Sequence, residues 1–160
     1  MNIEKPELTA HEDEWRAYAK HGQDRLISEL IPHLMKNFDY SKRRVKKVLH
    51  SGFGSTVKAE AKKYDLYFRL FPNPKTIWPR ETLVIARINF KAQRKGHGRK
   101  LLIMLADLSA EIGYDKIAIE TTTSEASENF AERFGFQRIN KGNDWISSVT
   151  EVREALEQAA

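Results

Sequence analysis

Ile88-Asn89-Phe90-Lys91-Ala92-Gln93-Arg94-Lys95-Gly96-His97-Gly98-Arg99-Lys100 is the stretch whose reading decides the fold. The apolar run Leu83 to Phe90 leads into it and has the character of a buried strand. Leu101 to Ile112 leads out of it with helical apolar spacing. The turn between them carries two glycines, and basic side chains crowd around it. Glycine lets backbone N–H groups converge on one point with no Cβ in the way. A helix that starts there adds unpaired N–H groups and the positive end of its dipole. Strand, glycine turn and helix N-terminus together make an anion site, for which diphosphate is the usual guest.

Working outward toward the C-terminus, Leu101, Leu105, Leu108 and Ile112 form one helical stripe, closed by Gly113. Lys116 to Thr122 is a second inner strand. A strand, a helical crossover and another strand make a βαβ unit, so the two strands are expected to be parallel neighbours. Ser124 caps a further helix that ends at Gly135. Phe136–Asn140 and Trp145–Val149 flank Lys141-Gly142-Asn143-Asp144 as a hairpin, and the tail from Glu151 is a short or frayed helix.

Toward the N-terminus, Pro79 precedes the strand Thr82 to Phe90. Tyr64 to Phe71 is an aromatic-rich strand stopped by Pro72-Asn73-Pro74. Thr56 to Lys63 reads equally as strand or helix, and Ser51 to Ser55 is a turn. Two helices are expected before that. The first starts at the capping-box pattern Thr9-Ala10-His11-Glu12, buries Trp15, Tyr18 and Ala19, and ends at His21-Gly22. The second is capped by Asp24 and carries Leu26, Ile27, Leu30, Ile31, Leu34 and Met35, with Pro32 kinking or shortening it.

At 160 residues, 41% hydrophobic and 31% charged, the chain has the composition of one globular domain with a real core. No apolar run is long enough to span a bilayer, and the polar start Met1 to Lys5 is no signal peptide, so the cytoplasm is the expected location. Cysteine is absent, which excludes disulfides, thiol nucleophiles and Cys-ligated zinc. The five histidines show no ligand spacing, so no metal is expected. The formal net charge of +5 favours a polyanionic partner: nucleic acid, an acidic protein or a phosphorylated cofactor. The run Lys42-Arg43-Arg44-Val45-Lys46-Lys47 is either a solvated face or a phosphate-contacting patch.

The glycine turn fails two familiar tests. A dinucleotide fingerprint needs a third glycine where Leu101 stands, and a nucleotide P-loop needs Ser or Thr after Gly-Lys, where the chain has Gly98-Arg99-Lys100. Gln93-Arg94-Lys95-Gly96-His97-Gly98 instead resembles the Q/R-x-x-G-x-G/A motif of the Gcn5-related N-acetyltransferases. Phe130-Ala131-Glu132-Arg133-Phe134-Gly135-Phe136 is similar to that family's closing aromatic turn with Gly-Phe. The resemblance covers roughly residues 81–149. It implies a single α/β domain over residues 1–160, a mixed central sheet flanked by helices, and fourth and fifth strands splayed around the cofactor. Residues 81–149 would be the cofactor-binding core, and residues 1–60 an atypical helical part in which the family's first strand is not apparent.

The same resemblance implies the chemistry. The donor would be acetyl-coenzyme A and the acceptor a small-molecule or macromolecular amine. Backbone N–H groups of Arg94, Lys95, Gly96, His97, Gly98 and Arg99 would hold the diphosphate, with Gln93 opening the motif. The His97 side chain is expected to be exposed. The main chain of Ile88 and Phe90 would bond the pantetheine arm, and Ser124 would either bond the cofactor or only cap its helix. Glu81 and Glu120 are the candidates for the base that takes the amine proton. The family's usual tyrosine corresponds to Ala131 and its frequent asparagine to Ser124, so both positions depart from the pattern. Ala131 and the basic run keep two alternatives in view. One is an enzyme of this fold that modifies nucleic acid, either a DNA base or aminoacyl-tRNA. The other is a non-catalytic regulator. The fold often dimerises.

Overall fold

Trp15, Ala19, Gly22, Leu26, Leu30 and Leu34 recur every three or four residues and form one buried seam along a single helix. The computed structural model describes residues 4–53, 55–70, 77–122 and 124–158. In it α1 runs from Glu12 to Phe38 as 27 residues without a break, where the sequence suggested two helices. Gly22 does not end the helix. A Cβ there would stand 3.3 Å from Ile112 Cδ1, so glycine lets α1 approach the core closely. Pro32 lies on the exposed side, while Leu30 and Leu34 anchor the same turns from the buried side. His11 is the cap in place of Thr9, its Nδ1 accepting from the Asp13 N–H at 3.1 Å.

After α1 come α2 (Lys42–Lys47), β1 (Leu49–Gly52), β2 (Thr56–Glu60) and β3 (Tyr64–Arg69). The ambiguous Thr56 segment is a strand, with Val57 and Ala59 turned inward. The Pro72-Asn73-Pro74 stop lies outside the described residues. Next come β4 (Thr82–Phe90), α3 (His97–Glu111), β5 (Lys116–Ile119), α4 (Glu125–Arg133), β6 (Gln137–Arg138), β7 (Trp145–Ser148) and α5 (Val149–Gln158). One sheet has the order β1-β2-β3-β4-β5-β7-β6, and β4 with β5 is its parallel pair, as the βαβ reading expects. The mixed sheet flanked by helices is the architecture the sequence implied.

One face of this sheet is thickly covered. Leu26, Leu30 and Leu34 of α1 share a core with Leu66, Phe68, Leu83, Ile85 and Ile117 and with Leu101 and Leu105 of α3. Each such side chain contributes about 1.5–3 kcal/mol by leaving water. Among the described residues the other face has a small apolar cluster, Trp78 with Val84 and Ala118. Beyond it lie the partly exposed Asp65, Tyr67, Arg69 and Arg87.

Two features of β4 position the site. Its register with β3 shifts: Phe68 faces Ile85 but Tyr67 faces Arg87, leaving Ala86 as an extra bulged residue. A bulge bends a strand and raises its twist. Beyond it Ile88 and Phe90 pack toward the large core, while Arg87 joins Tyr67 on the thin face. The second feature is the end of β5. Its pairing with β4 stops at Ile85 and Ile119, followed by a last bond from the Glu120 N–H to the Ile85 carbonyl at 3.0 Å. Thr121 then turns away at φ 53°, which ends the strand short of the expected Thr122. β4 continues along β3 to Phe90 with no strand among the described residues on its other side. The two strands are therefore splayed into a fork.

Candidate cofactor cleft and its fork

The glycine turn follows β4 directly. Gln93 Nε2 donates to the Phe90 carbonyl at 2.7 Å and pins the turn to the end of the strand. Arg94 at φ 61° and Gly96 at φ 76° both take left-handed conformations, which curl the backbone toward the helix entry. Gly96 is the N-cap of α3 and, having no side chain, supplies no cap hydrogen bond. The N–H groups of the first turn of α3 thus lack both an intrahelical partner and a side-chain cap. They face a cleft of about 260 Å³.

The cleft brings together most of the sequence-predicted residues. Ile88 and Phe90 line it from β4, Gln93 through Arg99 from the turn, and Ser124 from the start of α4. Phe130 closes the opposite wall. A Cβ on Gly98 would stand 2.7 Å from Phe130 Cε2, so the second glycine makes room for an aromatic ring. Two side chains behave differently from their backbones. Arg99 turns away and donates to the Leu156 carbonyl of α5 at 3.3 Å. His97, expected to be exposed, packs its ring 4.6 Å from Phe38 and 5.4 Å from Phe90, and its Nδ1 is buried without a partner among the described residues. Burial, then Lys100 and Lys95, lowers its pKa from the usual histidine value. Ser124 caps α4: its Oγ accepts from the Ser127 N–H at 3.1 Å, and Ser127 Oγ accepts from the Ser124 N–H at 3.2 Å.

The two carboxylates part company, although neither lines the cleft. Glu81 is not brought to the cleft. It precedes β4, at the end of the strand remote from the glycine turn, and is bound by Lys5 and Lys116 at 3.0 Å each. Burial alone would raise its pKa, but hydrogen bonds from Lys116 and Lys5 outweigh that and hold it at about 2. Glu120 follows β5 where the fork opens, on the thin face. It is ion-paired with Arg69 and accepts from Trp78 Nε1 at 2.9 Å. Arg69 and Trp78 were not singled out from sequence. Arg69 closes an aromatic strand and Trp78 stands alone before Pro79, so neither position carries a local pattern.

Ala131 is fully buried in the core, so the position corresponding to the family's tyrosine presents no hydroxyl to the cleft. Tyr114 is buried against Tyr18, with ring centroids 6.0 Å apart, on the far side of the fold. Tyr64 is buried beneath Phe38 and Tyr40, and burial pushes its phenol up to about 12. Tyr67 is held between Lys58 and Arg87 on the thin face. Among the described residues no group of acidic or imidazole side chains has a metal-binding arrangement, and no helix is long and apolar enough to cross a membrane.

No protein-family model matches the chain, and no curated protein matches it. Solved structures do resemble it. An acetyltransferase of the GNAT family from Staphylococcus aureus Mu50 aligns over 87% of this chain and 96% of that one, at 10% identity and a TM-score of 0.47. Tetrahymena Gcn5 aligns over 91% and 92%, at 12% identity and a TM-score of 0.43. The yncA protein of Salmonella typhimurium, solved with its cofactor acetyl-CoA, aligns over 59% of this chain and 64% of that one, under two thirds of its length, at 18% identity and a TM-score of 0.42.

Proposed function

We propose that this chain is an acyl-coenzyme A-dependent N-acyltransferase of the Gcn5-related type, moving acetyl from acetyl-coenzyme A to an amine by direct attack. The observation that carries the reading is the uncapped N-terminus of α3, curled by Arg94 and Gly96, beside a stretch of β4 with no strand partner. The first offers converging N–H donors to a diphosphate, and the second offers main-chain groups to an extended amide arm. The cleft is bounded by Phe130, whose ring leaves no room for a side chain at Gly98. These residues fit the donor's diphosphate on two counts: charge and open donors.

Attack by the amine nitrogen on the thioester carbon forms the C–N bond and breaks the C–S bond. The nitrogen loses a proton and the sulfur gains one. Glu120 is the carboxylate at the mouth of the fork and the group to take the amine proton, with Arg69 and Trp78 fixing its orientation. Glu81, held by two lysines, serves stability. No phenol among the described residues replaces Ala131 in the cleft. The acceptor would enter from the thin face, where Arg87 and Tyr67 flank the fork. Isothermal titration with acetyl-coenzyme A tests the reading. Saturable binding in the micromolar range supports it, and absence of heat at high micromolar concentration defeats it.

A further inference from the structure

The net charge of +5 conceals a strong separation of charge. Residues 36–48, 60–63 and 91–100 hold thirteen of the 27 Lys and Arg and only two of the 22 Asp and Glu, namely Asp39 and Glu60. The remainder of the chain carries more acids than cations. These three segments are neighbours in space. Lys63 Nζ donates to the Phe38 carbonyl at 2.8 Å, the Lys91 N–H donates to the Lys63 carbonyl at 3.1 Å, and Phe38 packs on His97. Arg44 of α2 and Lys63 of the β2–β3 turn both lie over the Tyr40 ring, at 4.4 and 4.9 Å. The end of α1, α2, the β2–β3 turn and the exit of β4 therefore form one surface.

The ion pairs of the described residues lie elsewhere. Their cations are Lys5, Arg16, Lys20, Arg25, Arg69 and Arg87, with Lys116, Arg138 and Arg153. On α2, Lys42, Arg43, Lys46 and Lys47 are all exposed and, among the described residues, have no carboxylate partner. Lys62 and Lys91 are the same. Unneutralised like charge on one surface raises the energy of the free protein and is relieved by a polyanion.

We propose that this surface, with α2 at its centre, binds the phosphate backbone of a nucleic-acid duplex. Two observations select that partner by excluding three others. Protein interfaces are depleted in lysine and anchored by exposed aromatic or apolar side chains. The large exposed apolar residues of the described chain, Leu8, Phe53 and Ile77, lie outside these segments. Stable attachment to a membrane needs an inserted apolar or lipid element beside the cations, which the same absence withholds. Single strands are held by stacking on exposed rings, whereas Phe38, Tyr40 and Tyr64 are buried. What remains is many cations and no stacking platform, which suits a duplex backbone. Arg94, Lys95 and Arg99 of the third segment also line the cleft, whereas the cations of α2 lie outside it, so α2 is where this proposal parts from the donor reading.

The test is fluorescence anisotropy on the full chain with labelled RNA and DNA duplexes of about 20 base pairs at about 50 and 200 mM salt. Binding is expected at the lower salt, weakened by about 100-fold or more at the higher, as for several phosphate contacts. Comparing the two duplexes distinguishes an RNA from a DNA source of the backbone. The combined change Lys42→Glu, Lys46→Glu, Lys47→Glu should weaken duplex binding at least tenfold and reduce the slope of log affinity against log salt by about 3. The same variant should leave the heat of acetyl-coenzyme A titration unchanged. The alanine triple serves if the glutamate triple fails to fold. No duplex binding at the lower salt overturns the proposal, as does an α2 variant that binds as well as the parent. Equal or tighter binding of poly-glutamate, or of phosphatidylserine–phosphatidylcholine vesicles, assigns the surface to a different partner and also overturns it.

Discussion

Gly98 and Glu81 show how single residues divide the work of this chain between the cleft and its frame. Gly98 has an ordinary helical backbone, so its value is steric: the missing Cβ is where Phe130 rests. Gly98→Ala is expected to displace that ring, to cost about 1–2 kcal/mol of stability from overpacking, and to weaken acetyl-coenzyme A binding about tenfold. Urea denaturation and titration calorimetry read the two effects separately. Glu81 does the opposite kind of work. Its folded pKa of about 2 lies below the free value of 4.5, so the folded state binds fewer protons there. The contribution is complete above pH 4.5 and is lost as pH falls toward 2. Glu81→Gln should cost about 1–2 kcal/mol at pH 7, moderated because both lysines are partly exposed. The gap from the parent should close on acidification below pH 4.5, which thermal melts across that range will show.

At the scale of elements, α4 depends on its first turn. Ser124 and Ser127 exchange hydrogen bonds between side chain and backbone, and the helix they start carries Phe130 to the cleft wall. Ser124→Ala should remove about 1 kcal/mol of stability. A fall in the thermal midpoint would record it. The elements also show what a sequence can reveal. The glycine turn and α3 were legible because their signals are local: a strand, φ-permissive glycines and a helical stripe in one continuous stretch. α1 was read as two helices because the reason Gly22 is tolerated sits on Ile112, far along the chain. β1 was missed because Leu49–Gly52 is a short edge strand with no inward alternation to betray it. His97 read as exposed because Phe38, the ring it packs on, belongs to another element.

The molecule as a whole is a sheet thickly covered on one face and thinly on the other, with a fork near its middle and thirteen of its 27 cations gathered at one end. The parallel pairing of β4 and β5 could be anticipated from the βαβ order and their splay from the family resemblance, but not what the fork contains. Arg69 and Trp78 reach Glu120 across 51 and 42 residues of sequence, and no local pattern links positions so distant. The charge gradient was equally hidden, since +5 in total describes a surface with a far larger local surplus. If the two proposals both hold, the polar, partly charged sheet face beside the fork and the basic end beyond it would give a large acceptor two places to be held.

The bulge in β4 has a consequence for how this chain tolerates changes in length. Phe68 pairs with Ile85 and Tyr67 with Arg87, so removing Ala86 leaves every observed cross-strand partner where it is. Inward and outward positions are preserved, and the shortened β4 becomes an ordinary strand. What disappears is the local bend that carries β4 away from β5. A single-codon deletion therefore separates two properties that point mutations usually change together. The shortened protein should melt at or above the parent's temperature while binding acetyl-coenzyme A at least tenfold more weakly. A lineage released from selection for binding could lose that codon and keep a sound fold.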